Sequence, residues 1–146
     1  MAQSVEFHTG VPDAVGFACR LLRKAHRRGV TVLCLAPPAQ LDALDRALWT
    51  FVEREFVPHV KVAGTAGKVL RRTPIWLAPA WPVETVRDVV LNLGGGLAVG
   101  EAGAARVIEV VGVDAEEVER GRALWRQYKG AGFEIVHHPF KAVRED

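Results

Sequence analysis

Residues 30–36, Val-Thr-Val-Leu-Cys-Leu-Ala, form a run of apolar and β-branched side chains that is typical of a strand buried on both faces of a sheet. Residues 14–28 before it carry apolar side chains at helical spacing, and residues 5–9 alternate like a short strand. Asp13 and Gly29 stand where an N-cap and a C-cap of that helix are expected. Strand, helix and buried strand in this order predict a βαβ unit and hence a parallel sheet.

The same alternation continues along the chain and predicts a single α/β domain over residues 1–146. We expect one largely parallel, twisted sheet with helices on both faces, which is Rossmann-like but lacks a phosphate-binding loop. Pro58 argues against a central strand nearby. Further predicted segments are helices over 40–50 and from Asp114 to Gly130, strands over 74–80, 88–93, 106–111 and 133–140, a loop over 64–68, a flexible segment over 94–105 and a polar tail over 141–146.

Length and composition exclude several classes of protein. A chain of 146 residues with 49% hydrophobic and 25% charged residues is an ordinary globular domain, which excludes disordered and fibrous proteins. The net charge of +2 does not by itself indicate a nucleic-acid-binding protein, and two cysteines are too few for a secreted disulfide framework. No apolar run reaches the roughly 18 residues of a membrane span, and no signal sequence is visible. We therefore expect a cytoplasmic protein.

Phosphate-binding motifs fail at defined positions. Gly67 and Lys68 are followed by Val69, and Val62 stands where a phosphate loop needs its first glycine. The dinucleotide pattern would need a glycine at Val99. An α/β nucleotide-binding enzyme stays open as an alternative, but its usual glycine loops are missing.

Candidate nucleophiles and metal ligands are also few. Ser4 is the single serine and lies near the N-terminus, and Cys19 and Cys34 fall in apolar helical and strand patterns. His137 and His138 are neighbours on a strand and should point to opposite faces, so they cannot share one metal. These observations predict a protein that is not an enzyme and that binds neither a cofactor nor a metal.

The helix that follows Asp114 carries an unusual outward face. Arg122, Arg126 and Lys129 fall within about 60° of one another on a helical wheel, with Trp125 beside them. One interpretation is a solvated face with a half-buried tryptophan. A second is an anchor pocket for an acidic peptide with an apolar end, since arginine and tryptophan dominate such contacts. A third is direct binding of single-stranded nucleic acid through this basic face.

Aromatic residues also gather after the second predicted helix. Trp49, Phe51 and Phe56 are close in sequence to Pro58 and His59. They indicate either a helix end folded back onto the core or a second, drier protein interface.

Three stretches of the sequence carry recognisable motifs: LDALDRALWTFVEREFVPH (residues 41–59), PIWLAPAWPVETVRDVVLNL (74–93) and RALWRQYKGAGFEIVHHPFK (122–141). Together they resemble one known family, the chi subunit of bacterial DNA polymerase III. The resemblance covers the whole chain and keeps the family order, and it implies association with the nucleoid.

This resemblance implies a non-catalytic accessory subunit of the clamp-loader complex. The family binds the acidic, phenylalanine-terminated tail of single-stranded DNA-binding protein and links it to the loader through the psi subunit, so DNA would be contacted mainly indirectly. Val118 stands where the family has a lysine, which leaves the basic rim either incomplete or supplied by Arg120. By position, the resemblance assigns tail binding to Arg122, Trp125, Arg126 and Val111, and the psi interface to Trp49, Phe56 and Pro58.

Overall fold

The computed structural model describes residues 4–50, 56–82, 87–94 and 104–141, and it places seven parallel strands in one sheet with four flanking helices. The elements are β1 (Ser4–Val11), α1 (Ala14–Arg27), β2 (Val32–Leu35), α2 (Pro38–Thr50), β3 (His59–Lys61), α3 (Gly67–Arg72), β4 (Ile75–Ala78), β5 (Arg87–Asn92), β6 (Ala104–Gly112), α4 (Ala115–Gly130) and β7 (Glu134–Pro139). The strand order is β3-β4-β2-β5-β6-β1-β7, which confirms the predicted α/β class.

The aspartate N-caps of the two longest helices are confirmed, whereas the C-cap of α1 is Arg28, one residue before the expected Gly29. The Asp13 carboxylate accepts a hydrogen bond from the Gly16 amide at 2.9 Å, and the Asp114 carboxylate accepts one from the Glu117 amide at 2.8 Å. Gly29 follows α1 with a φ of 70°, a left-handed conformation that costs glycine little. Both helices therefore begin at the residues that the sequence indicates.

Two elements differ from the sequence predictions. Residues 59–61 form β3, an edge strand directly after Pro58, so the argument against a central strand there is right but the short edge strand was missed. The predicted loop over 64–68 is wrong at its end, because α3 begins at Gly67. None of the α3 residues is buried, so the helix has no apolar stripe by which a sequence pattern could reveal it. Most of the glycine-rich segment and of the polar tail lies outside the described residues.

The helices divide between the two faces of the sheet. α1 and α2 share one apolar core with the sheet, and α4 shares the other. Because side chains alternate along a strand, Phe7 of β1 faces α4 and its neighbour His8 faces α1. His137 and His138 of β7 divide in the same way, as predicted. The strand pair β1–β7 therefore presents Phe7 and His137 on its α4 face and His8 and His138 on its α1 face.

The edge formed by β1 and β7 is covered unequally. α4 packs on β6, β1 and β7, whereas α1 packs chiefly on α2 and β6. The α1 face of β7 is consequently open, with Val136 and His138 exposed. A cleft lies on each face of this edge.

Candidate functional site

A pocket of about 530 Å³ lies between α4 and the ends of β1, β6 and β7, and we call it the α4 pocket. It brings together all four residues that the family resemblance assigns to tail binding: Val111, Arg122, Trp125 and Arg126. It also includes Val118, which the resemblance placed at the rim. The sequence analysis did not assign the rest of the lining to this site, which is Phe7, Thr9, Gly10, Gly112, Gly121 and His137.

Trp125 forms one wall of the α4 pocket and is held by rings on both neighbouring strands. Its ring centroid lies 5.0 Å from that of Phe7 and 5.4 Å from that of His137. Nε2 of His137 lies 2.6 Å from Oγ1 of Thr9, which fixes the imidazole in turn. Trp125 is half-buried, so one part of the indole packs in the structure while another part is available to a ligand.

The floor of the α4 pocket depends on the close approach of α4 to β6. Gly121 is buried, and a Cβ atom built there would lie 2.8 Å from Cγ1 of Val111. A side chain at this position would have to displace Val111. The glycine thus lets the helix lie directly on the strand.

Two guanidinium groups lie at the rim of the α4 pocket. Arg122 and Arg126 are exposed and stand one helical turn apart. Among the described residues, no carboxylate pairs with either of them. Lys129, also exposed, is absent from the described lining. The rim therefore offers two cations that a ligand carboxylate can reach.

Arg120 does not supply the missing rim cation, which corrects one of the two expectations for this helix. Its NH2 group donates to the Val110 carbonyl at 2.7 Å, and its Nε donates to the Glu117 carboxylate at 2.8 Å. The side chain is only 18% exposed. At the position where the family has a lysine, the lining therefore carries an apolar side chain, Val118, which is 36% exposed.

Beneath α4, Glu109 ties the helix to the sheet. This fully buried carboxylate accepts hydrogen bonds from the Tyr128 hydroxyl at 2.5 Å and from the Asn92 amide at 3.1 Å, and Arg120 lies 3.7 Å away. Burial raises the pKa of Glu109 to about 7, although these hydrogen bonds and Arg120 oppose the shift. The network fixes the position of the helix that carries the pocket.

A second surface, which we call the Trp49 patch, comprises Trp49, Phe56 and Pro58. The rings of Trp49 and Phe56 stack with centroids 5.2 Å apart, and both side chains are exposed, at 60% and 57%. Pro58 beside them is half-buried, and Phe51 lies outside the described residues. The exposed rings make this patch available to a partner.

His59, by contrast, is buried beneath the Trp49 patch and supports it. Its Nε2 lies 3.0 Å from the Asp45 carboxylate and its Nδ1 lies 2.7 Å from the Val57 carbonyl. Its ring also packs on Trp49, with centroids 5.3 Å apart. The aromatic residues of this segment therefore divide into a buried support and an exposed surface.

The remaining candidate residues are structural. Cys19 and Cys34 are buried free thiols, and burial raises the pKa of both, that of Cys19 to about 11. Ser4 begins β1 and pairs with Glu134 of β7. In the part of the chain that the structure describes, no three potential metal ligands converge. Over the same residues, no helix has the length and apolar character needed to cross a membrane.

Comparison with known proteins decides the family. The model of the family described as "DNA polymerase III chi subunit, HolC" matches residues 1–136. The chain belongs to the DNA polymerase III chi subunit family. It is also 31% identical over 122 residues to the DNA polymerase III subunit chi of Pseudomonas aeruginosa. The aligned residues cover 83% of this chain and 82% of the relative.

Membership in the chi subunit family gives the chain an accessory role in replication, as part of the DNA polymerase III complex. The family match includes the four predicted residues of the α4 pocket and the three of the Trp49 patch. Apart from His137, the residues of both surfaces lie within the part of the chain that the family model matches.

Proposed function

We propose that this chain is a non-catalytic accessory subunit of the clamp-loader complex that binds the acidic C-terminal tail of single-stranded DNA-binding protein in the α4 pocket. The observation that supports this assignment most is the combination of two accessible arginines with an aromatic wall in one pocket. Such a pocket suits a peptide that ends in an apolar residue next to a carboxylate.

The chemistry of the α4 pocket divides between its rim and its interior. Arg122 and Arg126 at the rim would pair with the terminal carboxylate and acidic side chains of the tail. A terminal phenylalanine would pack against Trp125 and Val111, where tilted and edge-to-face ring contacts are favourable. Recognition needs both parts, so an acidic peptide without an apolar end would bind weakly.

The Trp49 patch is the surface that we assign to the psi subunit. It lies at the end of α2, on the opposite face of the sheet from α4. Both partners could therefore bind at once, and the protein would act as a coupler in the cytoplasm. Because a DNA strand coated with single-stranded DNA-binding protein offers many tails, modest contacts would still hold the loader on it through effective concentration.

Calorimetric titration with a synthetic tail peptide tests the assignment. We expect micromolar binding that disappears when the terminal phenylalanine is deleted, and that weakens as salt screens the arginines. A peptide with the same acidic residues in scrambled order is the control for non-specific charge attraction. If the intact tail and the scrambled peptide bind equally well, the α4 pocket is not the tail site.

A further inference from the structure

A second cleft, of about 440 Å³, lies on the other face of the sheet edge, and we call it the α1 cleft. It exists because α1 leaves part of the β1–β7 strand pair uncovered. One wall is the side of α1 that begins at Phe17, and the other comes from β1, β6 and β7. No residue of the α4 pocket lines it.

The α1 wall of this cleft carries a row of cations. Arg20 and Lys24 lie on α1 and Arg28 is its C-cap, and at a spacing of four residues they follow one side of the helix over about 12 Å. All three are exposed, and within the described segments none forms an ion pair. The charge here exceeds what helix capping explains, because Arg20 lies two turns before the C-terminus of α1.

The opposite wall adds a fourth cation and one carboxylate. Arg106 donates to Glu6 at 2.5 Å, and His138 lies 4.0 Å from the same carboxylate. Among the described residues that line the α1 cleft, four arginine and lysine side chains thus face a single acidic one. This local excess contrasts with the net charge of +2 for the whole chain.

Flat rings form the inner part of the α1 cleft. His8 stacks on His138 with centroids 4.7 Å apart and planes 18° apart, and its other neighbour is Phe17 at 5.1 Å. Burial and the neighbouring His138 lower the pKa of His8, which favours its neutral form. Val89 and Ile108 make the floor apolar. The cleft therefore combines a cationic rim with flat rings and an apolar floor.

We propose that the α1 cleft binds single-stranded nucleic acid, with backbone phosphates along Arg20, Lys24 and Arg28 and a base against the exposed ring of His138, which stacks on His8. A cationic groove beside stacking rings is the usual construction of single-strand sites. An acidic peptide without an aromatic side chain would use the cations but would leave the ring wall and apolar floor unmatched. Single-stranded DNA is a ligand that a member of a replication family would encounter. The proposal does not depend on tail binding in the α4 pocket.

Fluorescence anisotropy with a labelled oligothymidylate of about ten nucleotides, at low salt, tests the proposal. The test variant combines Arg20→Ala, Lys24→Ala and Arg28→Ala. The matched control combines Arg122→Ala, Arg126→Ala and Lys129→Ala, which removes the same charge from the other face. We expect the affinity of the α1 variant for the oligonucleotide to fall at least about tenfold. The slope of log affinity against log salt should become shallower by about 2, because three phosphate contacts are removed and each contributes about 0.7. The control should lose less than about twofold, because non-specific attraction alone is reduced.

The outcomes separate this proposal from the tail assignment. Equal losses in both variants, or no binding by the wild-type protein at low salt, would overturn the α1 cleft as a nucleic-acid site. Displacement of the oligonucleotide by polyglutamate as effectively as by unlabelled oligothymidylate would also overturn it, in favour of an acidic peptide. Titrating both variants with the tail peptide shows whether the α4 pocket works independently, since only the α4 variant should lose tail binding. The α1 variant's retained tail binding also shows that it is folded.

Discussion

Gly121 of α4 and Val111 of β6 approach each other so closely that a Cβ atom on the glycine would lie 2.8 Å from Cγ1 and 2.9 Å from Cγ2 of the valine. Val111 is buried and has a stiff, branched side chain, so it cannot move aside at little cost. The contact sets the distance between the helix that carries the arginines and the strand beneath it.

Gly121→Ala should therefore destabilise the protein. Overpacking costs about 1–3 kcal/mol and the better helix propensity of alanine returns about 1 kcal/mol, so we expect a net loss of about 1 kcal/mol. Urea unfolding measures it. Gly130→Ala is the matched control, because a Cβ atom there meets nothing within 4 Å. In a Val111→Ala background, Gly121→Ala should instead become neutral or stabilising; an unchanged penalty would show that the strain arises elsewhere.

Arg122→Ala should weaken tail-peptide binding by about 1–3 kcal/mol, the usual worth of a charge-assisted hydrogen bond. Lys129→Ala removes the same charge from the same helix but outside the described lining of the α4 pocket, and it should have little effect. Calorimetry on both variants gives the comparison. Equal losses would mean that the helix attracts the peptide only through its overall charge.

Glu109 should make stability depend on pH. Its pKa is about 7 in the folded protein against an ordinary value of 4.5, so the folded state holds its proton more tightly than the unfolded state. The contribution of Glu109 to the free energy of unfolding is therefore greatest below pH 4.5. It decreases by roughly 3 kcal/mol as the pH rises from 4.5 to about 7.

Glu109→Gln isolates this effect, because other titrating groups cancel between the two proteins. Relative to the wild type, the variant should gain stability steadily from pH 4.5 to about 7 and then level off. Urea unfolding at several pH values gives the difference. A constant difference across this range would show that the buried carboxyl group is not the titrating one.

Trp49→Ala and Phe56→Ala should each reduce psi binding by about 2 kcal/mol or more if the Trp49 patch is the interface. Both side chains are mostly exposed, so folding stability should change by only about 0.5 kcal/mol. Val69→Ala, at a 47% exposed apolar residue of α3, is the control. Pull-down with purified psi subunit reads out binding, and full retention by both aromatic variants would exclude this patch.

The sequence predicts the central elements well because their physics is local. The apolar run at 30–36 and the capped amphipathic pattern after Asp13 leave little choice of structure, and both elements form. β3 and α3 were not predicted because they are short and gain their structure from position. β3 exists because β4 offers an edge to pair with, which residues 59–61 alone do not reveal.

The residues of the α4 pocket likewise divide into those whose placement follows from local sequence and those whose placement depends on tertiary structure. Arg122, Trp125 and Arg126 share a helix, so their common face follows from helical spacing. Phe7 and His137 are neighbours only because β1 and β7 pair in a register that sets Phe7 opposite His137. The inward orientation of the Arg120 side chain also could not be predicted from the sequence. It depends on tertiary contacts with the buried carboxylate of Glu109 and with the carbonyl of Val110.

The position of β1 between β6 and β7 has a consequence for the order of events during synthesis. This strand leaves the ribosome first among the described elements, yet both of its partners come from the last third of the chain. Pairings of such long sequence separation form late and slowly. Because the α4 pocket and the α1 cleft both include side chains of β1 and β7, each is completed only in this last step. A nascent or prematurely truncated chain that lacks β7 would therefore have neither surface complete.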